Sequence, residues 1–309
     1  MKPRRDASLP LRERIGWRLL AQARRLKGLP APILLPVGRA AGRASLVLRR
    51  RVMRRSLIHL ARAFPDWPKA RRLATAWASG SHLGEVWADW LRLSHMPYDH
   101  RLRHVDVSAL EEPVRKALEA GTGIVIVTGF LGHWEGLAAA LAAATGDVLI
   151  VTRRSRPRLR HDAVEELRRA CAVQGLSFSG ARIDAARWLK LNRVVVVVAD
   201  GDAGRSGVFL PYFGVQASMT DLPVRLAADG ASPLLAAFCL KEGPGLWRTR
   251  VREIPVPAAA GPEARLAALG AWARLLEEAV RANPGQYVWN HRRWRTRPVH
   301  AAALPGGPA

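Results

Sequence analysis

"GIVIVTGFLGHWEGLAAAL", residues 123–141, decides how the chain is read. It opens on an apolar run, Gly123–Ile124–Val125–Ile126–Val127, with no polar alternation, the pattern of a strand buried on both faces. A glycine-containing corner follows, and Gly136–Leu137–Ala138–Ala139–Ala140 reads as a helix. His133 and Glu135 sit where the strand hands over to the helix. Functional groups of open α/β sheets gather at the carboxyl ends of strands, so this is either a catalytic corner or only a turn.

The pattern repeats on both sides. Downstream, strands are expected at "DVLIVT" (147–152), "LSFSG" (176–180), "RVVVVVAD" (193–200), "SPLLAAFCL" (232–240) and "WRTRVREI" (247–254), with helices over 160–174, 182–191 and 261–282. Upstream, "HVDVS" (104–108) is a short strand and 109–120 a helix. Strands alternating with helices specify an α/β fold, a mostly parallel sheet flanked by helices. Before residue 104 the chain reads as helices at 11–28, 37–64 and 69–93, with "FPDWP" (64–68) as a proline-built turn. Trp77, Trp87, Trp90 and Leu91 stripe the last of these helices, as a core face or as a contact for acyl chains or the membrane interface. The expected organisation is a helical, membrane-associated region at 1–104, an α/β domain with a basic aromatic arm at 105–298, and a disordered tail at 299–309.

At 309 residues, 49% of them hydrophobic, the chain can bury one large α/β domain or two small ones. It carries 49 Lys and Arg against 25 Asp and Glu, a net charge of +24. Such a charge concerns partners rather than fold: nucleic acid, an anionic membrane or an acidic protein. Leu11, Ile15, Leu19, Ala23 and Leu26 line one helical face among Arg12, Arg14, Arg18, Arg24, Arg25 and Lys27. That face fits an anionic membrane or, equally, the protein's own domain. The most lipid-like stretch, "LPAPILLPVGRAAGRASLVL" (29–48), is interrupted by prolines and by Arg39 and Arg43, so no transmembrane helix is expected. Cys171 and Cys239 lie in apolar settings without disulfide or metal spacing, which fits buried thiols in a reducing compartment.

A second strand end carries polar residues. In "VVVVVADGDAGRSGVFLPYFG" (194–214), Asp200, Asp202 and Arg205 follow a five-valine strand, as a polar site or as a capped surface turn. In "GQYVWNHRRWRTRP" (285–298), arginines are interleaved with Trp and Tyr. That composition suits nucleic acid or phospholipid headgroups, or an arm whose aromatics dock while its arginines stay solvated.

Three segments carry a resemblance. "RSLIHLARAFPDWP" (55–68), "DGDAGRSGVFLPYFGVQASMTDLPVRLAADGASPLLAAF" (200–238) and "NPGQYVWNHRRWRTRP" (283–298) resemble, in order and spacing, segments of the bacterial lipid A biosynthesis late acyltransferases. This is the lauroyl/myristoyl transferase family within the lysophospholipid acyltransferase superfamily. The family signature is a His followed by four residues and an acid, usually Gly-His-Phe-Gly-Asn-Trp-Glu. Here Gly129–Phe130–Leu131–Gly132–His133–Trp134–Glu135 keeps the glycine, the Trp and the acid, puts Phe130 in place of the His, and has His133 where Asn is usual.

The resemblance implies a glycerolipid acyltransferase-like fold and an O-acyltransferase that uses no metal or organic cofactor. In the family the His is thought to take a proton from an acceptor hydroxyl as it attacks an acyl thioester. The expectation is therefore that His133 takes over as base beside Glu135. Arg168, Arg169, Arg153, Arg154, Asp200, Asp202 and Arg205 are the candidate substrate-binding residues, guanidinium groups being suited to phosphates. The expected partners are a membrane glycolipid acceptor such as a lipid A precursor, an acyl carrier protein or coenzyme A donor, and an anionic membrane surface; nucleic acid is not expected. The expected location is the cytoplasmic face of the inner membrane, peripherally bound. Two rival readings remain: a weakened or inactive member that binds lipid or carrier protein, and, last, a nucleic-acid-binding protein.

Overall fold

The computed structural model describes residues 29–153 and 158–298. Four helices come first: α1 (Ala31–Leu48), α2 (Arg50–Ala63), α3 (Lys69–Leu93) and α4 (Tyr98–His104). Then follow β1 (Val105–Asp106), α5 (Ser108–Glu119), β2 (Ile124–Thr128), α6 (Trp134–Thr145), β3 (Val148–Thr152), α7 (Arg158–Arg169), β4 (Val173–Ser177), α8 (Ala181–Lys190) and β5 (Val194–Val198). A hairpin of β6 (Val208–Tyr212) and β7 (Val215–Met219), then α9 (Leu222–Gly230), β8 (Leu234–Gly243), β9 (Leu246–Glu253) and α10 (Pro262–Ala282) complete the order.

The main sheet runs β1-β9-β8-β2-β5-β3-β4. β8 and β9 are antiparallel; the other neighbours are parallel, as expected for strands separated by helices. β2 and β5 lie side by side at its centre, Ile124 opposite Val194 and Thr128 opposite Val198. Their alternate residues feed two cores because successive side chains of a strand point to opposite faces. Val125, Val127, Val195 and Val197 pack with α8, α9 and α10 through residues such as Ala185, Leu226 and Trp272. Ile124, Ile126, Val194 and Val196 pack with α3, α5 and α6 through Trp90, Val114 and Leu137.

The N-terminal helices share these cores. Leu60, Ala63 and Phe64 enter the first, and Val86, Trp90 and Leu93 the second. Of the tryptophan stripe, Trp90 is buried while Trp77 and Trp87 are half-buried. α1 lies against α3 at very short range. A Cβ on Gly84 would come within 2.0 Å of the Gly38 carbonyl oxygen, and one on Gly42 within 2.0 Å of the Gly80 carbonyl oxygen.

The boundaries differ from the sequence expectation in three places. The helix expected over 37–64 begins at Ala31 and breaks at Arg49, whose backbone leaves the helical region (φ −116°, ψ 71°). The strand expected at 176–180 spans Val173–Ser177, because α7 ends at Arg169 and Ala172, at φ 58°, turns the chain early. Third, the polar loop expected after β5 leads into the β6–β7 hairpin. Phe213 and Gly214 both take left-handed backbone (φ 53° and 70°), the requirement of a tight hairpin turn. Both cysteines are free and buried, and no group of three or more His, Cys, Asp or Glu suited to a metal occurs among the described residues.

Candidate functional site

The carboxyl ends of β2 and β5 lie together, and the C-terminal segment closes over them. The Phe130 N–H donates to Asp200 Oδ1 at 3.0 Å, which ties the corner after β2 to the loop after β5. The Val288 N–H donates to the Phe130 carbonyl (3.0 Å) and the Gly132 N–H to that of Gln286 (3.1 Å), so the arm is sewn to the same corner. Gly132 is required there. Its φ is +63°, and a Cβ would meet the Cys239 carbonyl oxygen at 1.9 Å.

The arm docks through its aromatics while Arg292, Arg295 and Arg297 stay exposed. Tyr287, Trp289 and Trp294 are buried, and so is Arg293. The Arg293 guanidinium donates to Asp200 Oδ2 at 2.7 and 3.2 Å and to the Val288 carbonyl, and it stacks 3.9 Å over the Tyr287 ring. Asp202 holds the next turn. Its Oδ2 accepts from Thr296 (3.1 Å) and faces Arg295 (3.2 Å), its Oδ1 accepts from the Gly204 N–H, and its carbonyl accepts from Arg153. Both carboxylates are thus committed to anchoring the arm. Arg153 and Arg205 remain exposed.

His133 is turned into the interior. It is the N-cap of α6, its Nδ1 accepting from the Gly136 N–H at 2.9 Å, the capping role that Asn also fills well. Its side chain is 0% exposed, packs edge-on against Trp247, and turns Nε2 toward Asp89 at 3.7 Å. Asp89 is already held by Arg92 and by the Trp247 indole N–H. Burial first, then the Arg92 charge, pushes the His133 pKa down to about 3, so the ring is neutral at physiological pH. A ring so enclosed leaves Nε2 without a hydrogen-bond partner but out of reach of solvent.

Glu135 is buried as well, and its partner is an arginine. Oε1 accepts from Arg168 Nη2 (2.6 Å) and the Trp134 indole (3.2 Å), and Oε2 from Arg168 Nε (3.0 Å). Arg168 also reaches Thr152 and Glu165 and is 4% exposed. Arg169 is exposed, and its Nε donates to the Glu165 carbonyl. Of the two arginines that the sequence could not separate, Arg168 is therefore the one joined to the acid. Arg154 lies outside the described residues.

The imidazole that does reach the mouth is His291. Its ring lies 4.8 Å from that of Phe130, tilted by 32°, and its Cε1 is 3.5 Å from where Gly201 would carry a Cβ. It therefore sits over the first residues beyond both strands. Sequence reasoning left His291 within the basic arm. The one available signal was its place in the C-terminal motif; no local periodicity links it to Phe130.

Comparison with known proteins follows the same lines. Residues 1–296 match the family model described as bacterial lipid A biosynthesis acyltransferase. The chain is 28% identical over 180 residues to a phosphatidylinositol mannoside acyltransferase of Mycobacterium tuberculosis (strain CDC 1551 / Oshkosh), covering 56% of each. It is 28% identical over 178 residues to the protein of the same name from Mycolicibacterium smegmatis (strain ATCC 700084 / mc(2)155), covering 56% of this chain and 58% of that one. It is 31% identical over 112 residues to the lipid A biosynthesis lauroyltransferase of Escherichia coli (strain K12), covering 36% of each. The matched part thus spans little more than half the length of the first two relatives.

Proposed function

Given that the chain belongs to the bacterial lipid A biosynthesis acyltransferase family, we propose that it moves a fatty acyl chain from a thioester to a hydroxyl of a membrane glycolipid. The observation that carries this reading is the mouth at the ends of β2 and β5. There a half-buried imidazole, an aromatic ring and the exposed Arg153 come together where an open α/β sheet presents its ligands. The donor is acyl carrier protein or coenzyme A. Arg153 and Arg205 suit the phosphate of its pantetheine arm, and the +24 charge suits an acidic carrier. The acceptor class is a glycolipid such as a lipid A precursor, the two kinds of named relative acting on lipid A or phosphatidylinositol mannoside.

The test is to incubate the purified protein with radiolabelled acyl thioesters and total membrane lipids. A new labelled lipid is the expected product. Binding of lipid and carrier without transfer supports the second reading, a non-catalytic family member, which Phe130 in the signature position favours.

We further propose peripheral membrane binding, at the cytoplasmic face of the inner membrane, through α1. No described helix is long and apolar enough to cross a membrane. Yet α1 is apolar on its outer face as well as its packed one: Ile33, Val37, Val47 and Leu48 are 51%, 50%, 60% and 82% exposed, with Arg39 and Arg43 on the same helix. Burying such a face contributes roughly 25 cal/mol per Å² of apolar area removed from water, and neighbouring arginines add attraction to anionic lipid. The face expected at residues 11–28 lies outside the described residues. Ile33→Asp with Val37→Asp is expected to move the protein from the pellet to the supernatant when it is sedimented with anionic vesicles. An unchanged partition would put the contact elsewhere.

A further inference from the structure

We propose that His291 is the general base of the transfer, standing in from the C-terminal arm for the imidazole that the strand-end signature lacks; this rests on the acyltransferase reading above. The buried histidines have structural work. His59 bonds the Trp289 carbonyl (2.8 Å), His82 the Gly132 carbonyl (3.2 Å), and His133 caps α6. His291 has no such commitment. Its Nδ1 has no hydrogen-bond partner, as His133 Nε2 has none, but His291 is only half-buried where the His133 side chain is 0% exposed. A buried polar atom left unsatisfied in a folded protein calls for a reason, and a ligand contact is one.

The surroundings suit the role. The ring rests on Phe130 and beside Gly201, and the arm that carries it is held through Arg293 on Asp200 and Thr296 on Asp202. A rigid anchor two residues away fixes the ring without occupying it. Burial, then the Arg293 charge, lowers its pKa to about 4, with Asp200 and Asp202 pulling upward and Arg153 downward. The ring is therefore unprotonated at neutral pH, as a base must be at the start of the reaction.

In the step assigned to it, His291 takes the proton of the acceptor hydroxyl as that oxygen forms a bond to the thioester carbonyl carbon. The tetrahedral intermediate collapses by breaking the C–S bond, the electron pair leaving with sulfur. The imidazolium then returns its proton to the thiolate, releasing ester and free thiol. No oxidant, metal or further reactant enters this balance.

The test uses the full chain with radiolabelled acyl thioesters of carrier protein and of coenzyme A and a total membrane lipid extract. His291→Ala and His291→Gln are expected to lower kcat by about 10²–10⁴-fold, the usual contribution of a positioned base, with donor Kd and Tm near wild type. Phe130→His added to His291→Ala is expected to recover activity by restoring an imidazole at the strand end, a rescue that a merely structural His291 would not allow. Full kcat in both single variants would overturn the assignment while leaving the transferase reading intact. A wild type that transfers nothing from either thioester would overturn both.

Discussion

Glu135→Gln is expected to cost the protein stability before it costs it chemistry. The carboxylate and Arg168 are both almost inaccessible, 5% and 4% exposed, and meet through two hydrogen bonds of 2.6 and 3.0 Å. Removing one member of a buried ion pair typically destabilises by about 3–5 kcal/mol, because the remaining charge is stranded. Glu165, 2.8 Å from the same guanidinium, offsets part of that, so a loss of about 3 kcal/mol is expected. It is read as a Tm lowered by several degrees. The partner experiment is Glu135→Leu with Arg168→Met, which replaces the pair by apolar volume and should recover much of the loss. Folded Glu135→Gln should retain far more transfer than His291→Ala. A variant with wild-type Tm and no activity would instead return Glu135 to a direct role in the chemistry.

Gly84→Val is expected to pry α1 away from α3. Four glycines, Gly38 and Gly42 on one helix and Gly80 and Gly84 on the other, bring the backbones together. A Cβ at Gly84 would lie 2.0 Å from the Gly38 carbonyl oxygen and 2.8 Å from the Gly42 Cα. The obstacle is backbone, which cannot rotate out of the way as a side chain can. Overpacking ordinarily costs about 1–3 kcal/mol, occasionally more, and this contact belongs at or above the upper end. The small apolar cluster of Leu34, Leu35 and Ala88 would open with it. The expected readout is early proteolytic cleavage within α1 together with a lower Tm; an unchanged digestion pattern would show that the two helices can separate slightly without loss.

The architecture was legible because its strands are written locally. Uninterrupted β-branched runs such as Val194–Val198 can only be strands buried on both faces, and their alternation with helices dictates a parallel arrangement. The hairpin was less legible, since its turn relies on Phe213 in a left-handed conformation that no side-chain preference announces. The candidate site was legible only in outline. Both strand ends were found, and Glu135, Asp200 and Asp202 were all singled out, yet each carboxylate proved to be an anchor with an arginine partner.

By itself, then, the amino-acid sequence determined the α/β class, the two polar strand ends and the family, all of which depend on burial patterns and motifs short enough to be read along the chain. Only the tertiary structure decided which histidine meets the mouth. His133 is next to the signature in sequence but is drawn inside, since an N-cap position directs its Nδ1 at the helix amides. His291 is brought to Phe130 by contacts such as Arg293 to Asp200, made 93 residues apart. Local periodicity reports which face of an element is buried; it says nothing about which distant segment closes over that face.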